Sequence, residues 1–357
     1  MKIVVLVSVI VLAMPFYGDI ASPSYSSWKL HYSKARDLAV DGQNQEAIKE
    51  ARLSVLESRN RHGQETLNTE KSLELVATLA RKTGNYPYAT RLISKAYDVN
   101  CRIQGKTDTN SIRLLSDLGC LAVLSGDLKG ARAHYDEALK TCELANRMAC
   151  ITAAEPMLGL AHLMALGGNF SASEKLYNSA IDRLCCFSKY RPELRIKLAS
   201  ALENLGKIYE SQGNYSYAVK CFERSKCVYQ SQGTRQIEKL VHTFLCMGDT
   251  YAKWGKPERA IKSYKDALVI LDNHSDADST VLAGVVLKSL GDTFRKKGNL
   301  ELASNYYKKA VIHFETNASS GQRPLLLETT KSLSDVYKSM GLDSEARAIR
   351  VKTLAMD

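Results

Sequence analysis

Residues 202–222 read LENLGKIYESQGNYSYAVKCF, and the same pattern returns along the whole chain. Here Leu202, Leu205 and Tyr209 precede Gly213-Asn214, and Ala218 and Phe222 follow. The glycine is the fixed point. Gly42, Gly84, Gly126, Gly168, Gly213, Gly255, Gly298 and Gly341 recur at intervals of 42, 42, 42, 45, 42, 43 and 43 residues. A glycine returning at a nearly fixed period marks one supersecondary unit copied along the chain.

With the ladder glycine set at position 15 of each copy, positions 4, 7 and 11 are apolar. They are Leu115, Leu118 and Ala122 in the third copy, Phe244, Met247 and Tyr251 in the sixth, and Leu287, Leu290 and Phe294 in the seventh. Spacings of three and four residues place these side chains on one helical stripe. Position 8 is always small: Ala35, Ala77, Gly119, Ala161, Gly206, Gly248, Gly291 and Ser334. Glycine inside a helix costs about 1 kcal/mol relative to alanine. Its recurrence predicts close approach of a second helix. That helix follows the ladder glycine, because Gly then Asn or Asp (Gly84-Asn85, Gly126-Asp127, Gly298-Asn299) suits a left-handed helix stop and a tight turn. Ala47, Ala89, Ala131, Ala218, Ala260, Ala303 and Ala346 come five residues later. Four further on stands Tyr135, Tyr177, Phe222, Tyr264 or Tyr307, and three beyond that Ala96, Ala138, Ala180, Ala267 or Ala310. Each unit therefore reads as helix A, turn, helix B.

Leu-Gly-x-x-Tyr/Phe, then Gly, then Ala-x-x-x-Tyr/Phe-x-x-Ala resembles the tetratricopeptide repeat, over roughly residues 28 to 354. The first and fourth copies match least, with Lys34 at position 7 and Ser173 in place of the alanine. The unit is longer than the usual repeat of about 34 residues. The proline that closes helix B is missing, with Cys101 in its place in the second copy, so helix B is expected to run on. This long form resembles the repeats of kinesin light chains. The connectors at 63–69 and 105–111 match across one step, but without that family's His-Pro. The resemblance implies an all-α chain: a right-handed α-solenoid of eight stacked helix-turn-helix repeats over residues 25–357. Arg347, Arg350 and Lys352 would give the last helix a polar outer face, as a capping helix requires.

The first residues lie outside the repeat. Lys2 precedes the apolar run Ile3 to Met14, and Pro15 ends it. That run is too short to span a bilayer, which takes about 20 helical residues. A basic start, a short apolar core and the small residues Ala21-Ser22-Pro23-Ser24 read as a secretory signal over residues 1–24, removed on export. The expected location is therefore secreted, periplasmic or the lumen of a secretory pathway, with no membrane span in the mature chain. The alternative is a membrane anchor formed by an uncleaved N-terminal segment. Four glycosylation sequons, at Asn169, Asn214, Asn273 and Asn317, would then be open to glycans. The nine cysteines are an odd number, which leaves at least one unpaired. Cys120, Cys221 and Cys246 fall inside predicted helices, where a thiol fills core space. Cys185-Cys186 falls at a connector, and a Cys142–Cys150 bridge is one expectation at another.

The chain carries a net charge of +11. Residues 253–357 hold 17 basic and 13 acidic side chains, so the excess is diffuse. Diffuse positive charge favours acidic partners without specifying nucleic acid. The sequence carries no helix-turn-helix or RNA-binding signature. It also has no H-E-x-x-H, G-x-S-x-G or phosphate loop, and Cys185-Cys186 lacks the Cys-x-x-Cys spacing. His162 and His242 stand isolated on their helices. No enzyme activity, metal or cofactor is expected.

Function falls instead to the face of helix A opposite the packed stripe, at positions 2, 5, 9 and 12, which lines the concave groove in tetratricopeptide arrays. Its basic members Lys71, Arg113, Lys207, Lys288, Arg295, Lys331 and Lys338 are the candidate partner-binding residues. The reading is a non-catalytic scaffold that binds an extended or acidic peptide or protein in its groove. The alternative is a structural or assembly component acting through lateral or end contacts.

Overall fold

A computed structural model describes residues 23–59, 65–146, 151–189, 191–272, 277–316 and 323–354. The N-terminal segment 1–22, Cys150 and the sequons at Asn273 and Asn317 lie outside the described residues. The chain divides into two compact units between Ala145 and Asn146. The first holds α1 (Pro23–Val40), α2 (Asn44–Glu57), α3 (Leu67–Lys82), α4 (Tyr86–Gln104), α5 (Thr109–Leu124) and α6 (Leu128–Leu144). The second holds α7 (Ala154–Leu166), α8 (Phe170–Ser188), α9 (Glu193–Ser211), α10 (Tyr215–Gln230) and α11 (Ile237–Lys253). It continues with α12 (Pro257–Asp272), α13 (Ala277–Lys296), α14 (Leu300–Thr316), α15 (Arg323–Ser339) and α16 (Asp343–Leu354). Among the described residues there is no strand. The fold is an all-α helical-repeat solenoid of hairpins, each odd-numbered helix (A) paired with the even-numbered helix (B) after it.

The ladder glycines make the turns. All eight have φ between 73° and 82°, the left-handed region that glycine enters without steric cost. In each copy the next amide closes back on the helix just ended, as Asn85 N does on the Ala80 carbonyl at 2.9 Å and Asn214 N on Tyr209 at 2.8 Å. The same residue opens helix B. The side chains of Asn85, Asp127, Asn169 and Asn299 accept bonds from the amides of Tyr88, Gly130, Ala172 and Leu302. One Gly-Asn or Gly-Asp pair thus stops one helix and starts the other. Helix B is long, as the missing proline predicts: 19 residues in α4 and α8, 16 in α10 and α12.

Small residues form the A–B crossing. Ala47, Ala89, Ala131, Ala218, Ala260 and Ala303 are fully buried. The aromatic four residues on lies against the position-8 glycine of helix A. A Cβ on Gly119, Gly206, Gly248 or Gly291 would sit 2.3 to 2.8 Å from the ring of Tyr135, Phe222, Tyr264 or Tyr307. Those glycines make room for rings. The two serines at this crossing bond across it from opposite sides. Ser173 Oγ donates to the Ala161 carbonyl at 2.7 Å, and Ser334 Oγ to the Ala346 carbonyl at 3.1 Å.

The connectors are pinned as well. Ser58 Oγ donates to Thr69 Oγ1 at 3.0 Å, and one repeat later Asn100 Nδ2 donates to Ser111 Oγ at 2.9 Å. These are equivalent positions. Cys185 and Cys186 lie within the last turns of α8, not at a connector, because that helix runs on to Ser188. Cys221 is buried as expected, whereas Cys120 and Cys246 are partly exposed. Asn169 and Asn214 lie exposed at A–B turns.

Candidate partner-binding face

Consecutive A helices touch each other directly within a unit: α1 with α3 in the first, and α7 with α9, α11 with α13 and α13 with α15 in the second. Among the described residues no pair of B helices packs as closely. The A helices are thus the tighter layer of each unit, and their outward side is the candidate face.

Position 5 of this face, where another A helix follows, does not point freely to solvent. It lies between neighbouring A helices and meets position 2 of the next. In the first unit, Arg113 on α5 bonds Glu74 on α3 at 2.5 Å and Asp117 at 3.1 Å. Glu70 lies behind, 3.9 Å from the same guanidinium and 2 % exposed. Burial, then the facing Glu74 carboxylate, push the Glu70 carboxyl up to about 7. A shallow cleft opens beside this network, lined by Glu74, Thr78, Arg81, Arg113, Asp117 and Cys120 among others.

The second unit repeats the arrangement. Glu203 on α9 is buried and accepts a bond from Thr243 on α11, with His242 Nδ1 4.0 Å away. Lys288 on α13 pairs with Glu328 on α15 at 2.9 Å and with Asp292 at 3.3 Å. Burial works against the Lys288 ammonium, but these two carboxylates more than offset it and raise its pKa above the ordinary lysine value. Three further acids of the face are engaged too, whereas half-buried Asp335 on α15 forms no ion pair among the described residues. Glu210 pairs with Lys253, Asp249 accepts from Tyr264 Oη at 2.6 Å, and Asp292 accepts from Tyr307 Oη at 2.6 Å.

Of the candidate cations, Arg113 and Lys288 are therefore held in ion pairs within the fold. Asp117 and Asp292 stand four residues along the same helix, but sequence reasoning missed Glu74 and Glu328 because each lies one repeat away, at a separation of 39 residues for Glu74 and Arg113. Opposite charges at that separation were the available signal. Arg295 is exposed and only 4.0 Å from Asp292. Lys71, Lys207, Lys331 and Lys338 are exposed, and none forms an ion pair among the described residues. His242 is not isolated. Its Nδ1 lies 3.7 Å from Cys246 Sγ, and that sulfur and the Glu203 carboxylate raise the imidazole pKa to about 10 against the effect of burial. Among the described residues, no group of three or more His, Cys, Asp and Glu side chains is placed to hold a metal.

The chain carries tetratricopeptide repeats. Residues 201–235 match one tetratricopeptide-repeat family model, and residues 245–269 and 289–311 match another. No curated protein matches the chain in sequence. Its fold is similar to that of a signal transduction ATPase with numerous domains from Pyrococcus horikoshii, which carries a tetratricopeptide-repeat sensor. That TM-score is 0.64 at 15% identity, over 92% of this chain and 46% of the other. The apo form of RapI is similar with TM-score 0.53 and 12% identity, over 80% and 97%. BtubC (BKLC) from P. vanneervenii is similar with TM-score 0.52 and 21% identity, over 70% and 91%. At these identities the likeness is one of fold. Tetratricopeptide repeats are generally protein–protein interaction scaffolds, and the fold is typically non-catalytic.

Proposed function

We propose that the A-helix face of the second unit docks an extended, acidic segment of a protein partner. One observation carries the reading. Glu203, Glu210, Asp249 and Asp292 are held within the fold by Thr243, Lys253, Tyr264 and Tyr307, while Lys207, Lys331 and Lys338 are exposed and form no ion pair among the described residues, with half-buried Asp335 between the last two. The side chains that this face offers to solvent without an ion-pair partner are thus mostly cations, with exposed Arg295 beside them. Such a surface attracts carboxylates and speeds their encounter.

The test is charge reversal at the unpaired cations, Lys207→Glu, Lys331→Glu and Lys338→Glu together, with titration of a fluorescent poly-glutamate peptide. Affinity should fall at least about tenfold and the parent's binding should weaken steeply with added salt, since screening shortens the reach of exposed charges to about 3 Å at 1 M. Unchanged affinity in the triple variant would end the reading. Lys288 is the wrong residue for this test, because reversing it places like charges beside Glu328 and Asp292 and perturbs the fold itself.

A further inference from the structure

Cys246, His242 and Glu203 form a cluster that peptide docking does not use. Cys246 and His242 lie one turn apart on α11, with Sγ 3.7 Å from Nδ1 and 4.0 Å from Nε2. Glu203, from α9, lies 4.0 Å from the same Nδ1 and is itself fixed by the Thr243 hydroxyl. The imidazole side chain is 47 % exposed and Cys246 is partly exposed, so the sulfur can be reached from solvent. Lys207 adds a second cation from α9. The nucleophile in disulfide exchange is the thiolate, and reactive cysteines sit beside cationic groups at partly exposed positions. Sulfur and carboxylate both lie nearest the same ring nitrogen, so the imidazole acts here as a cationic neighbour of the thiol, held near it by the Glu203 charge, the setting that favours a thiolate.

We propose that Cys246 is a thiol–disulfide exchange site at which a small-molecule disulfide forms a mixed disulfide with the chain, with His242 holding the transferred proton. The Cys246 sulfur, as thiolate, attacks one sulfur of the disulfide along its S–S axis. The new S–S bond forms as the old one breaks, and the displaced thiolate leaves with the proton carried by the His242 imidazolium. Cys246 is oxidised, the leaving sulfur is reduced, and no further oxidant enters. Other thiols of the second unit lack this setting. Burial raises the Cys221 thiol to about 11. Burial also raises Cys185, although Arg224 stands 3.9 Å from its sulfur. Cys227 is exposed but has no imidazole bonded to it among the described residues. The site lies on the face proposed for docking but does not depend on that reading, because its chemistry is read without a partner.

The experiment exposes the full, folded chain briefly to oxidised glutathione at neutral pH and follows each cysteine by peptide mass spectrometry. Cys246 should acquire the adduct at least about tenfold faster than Cys227, an exposed thiol in the same molecule. In His242→Gln the Cys246 rate should fall to that of Cys227, and in Glu203→Gln it should fall part of the way. Labelling of buried Cys221 reports any unfolding of a variant, and His242→Asn provides a second, smaller replacement if the first opens the fold. Equal rates at Cys246 and Cys227 in the parent would overturn the proposal, as would an unchanged Cys246 rate in both folded histidine variants.

Discussion

Gly248 shows how much of this fold rests on single atoms. Replacing glycine by alanine inside a helix normally stabilises it by about 1 kcal/mol. Here the added methyl would stand 2.3 Å from Cε1 of Tyr264. That ring is 1 % exposed, and its hydroxyl is held by Asp249 at 2.6 Å, so it cannot swing aside without losing the bond. Overpacking of this kind costs about 1–3 kcal/mol. Gly248→Ala should therefore destabilise the chain, opposite in sign to the intrinsic preference, and a urea titration reads that sign directly. A variant as stable as the parent would mean that the crossing at Gly248 has room for a methyl group. The sequence already shows the reason for the pairing: glycine stands at position 8 in the copies whose helix B brings Tyr135, Phe222, Tyr264 or Tyr307. Where Ala51 or Ile93 takes the ring's place, Ala35 or Ala77 suffices. The fourth copy departs from this, with Ala161 opposite Tyr177, and nothing in the structure explains how that pair is accommodated.

At the scale of the helix, the contact between α3 and α5 holds a carboxyl in an unfavourable place. Glu70 is buried beside Glu74, and Arg113 is shared among Glu70, Glu74 and Asp117. Its folded pKa of about 7 lies above the ordinary value of 4.5. The folded chain thus binds a proton more tightly than the unfolded chain does between those two values. Stability contributed by the protonated form is full below about 4.5 and is lost as pH rises through about 7. Glu70→Gln keeps the shape and removes the titration. Its stability relative to the parent should rise between pH 5 and pH 8 by on the order of 1–3 kcal/mol, measured as the difference in urea unfolding free energies. A difference that does not change with pH would show that Glu70 ionises freely. The hairpins themselves were legible, since caps, stripe and small crossing residues are local. The ion pairs were not, because position 5 finds its partner on the next A helix and the repeat pattern constrains size more than charge.

For the molecule as a whole, the ladder of glycines carried the architecture, and the connector match at 63–69 and 105–111 marked a shared device that the structure shows as Ser58 to Thr69 and Asn100 to Ser111. The charge of the face was only half legible, because composition counts ions without saying which are paired. The same periodicity reaches back to Trp28. Position 1 of the first copy is Trp28, which is buried, stacks on Tyr32 at 5.3 Å and donates its indole N–H to Ser72 Oγ at 2.8 Å. This tryptophan ties α1 to α3. The apolar run Ile3 to Met14 has no counterpart in any other copy, which is what a removable export signal would look like. A chain starting at Ser24 should therefore unfold at the same urea midpoint as the full chain, whereas Trp28→Ala, which empties a buried site and strands the Ser72 hydroxyl, should lower stability by about 3–5 kcal/mol. Protein isolated from its own source should begin between Ala21 and Ser24 when its N-terminus is sequenced. Recovery of chains that begin at Met1 and sediment with membranes would instead favour an anchor, and a truncated chain markedly less stable than the whole would place part of the core before Trp28.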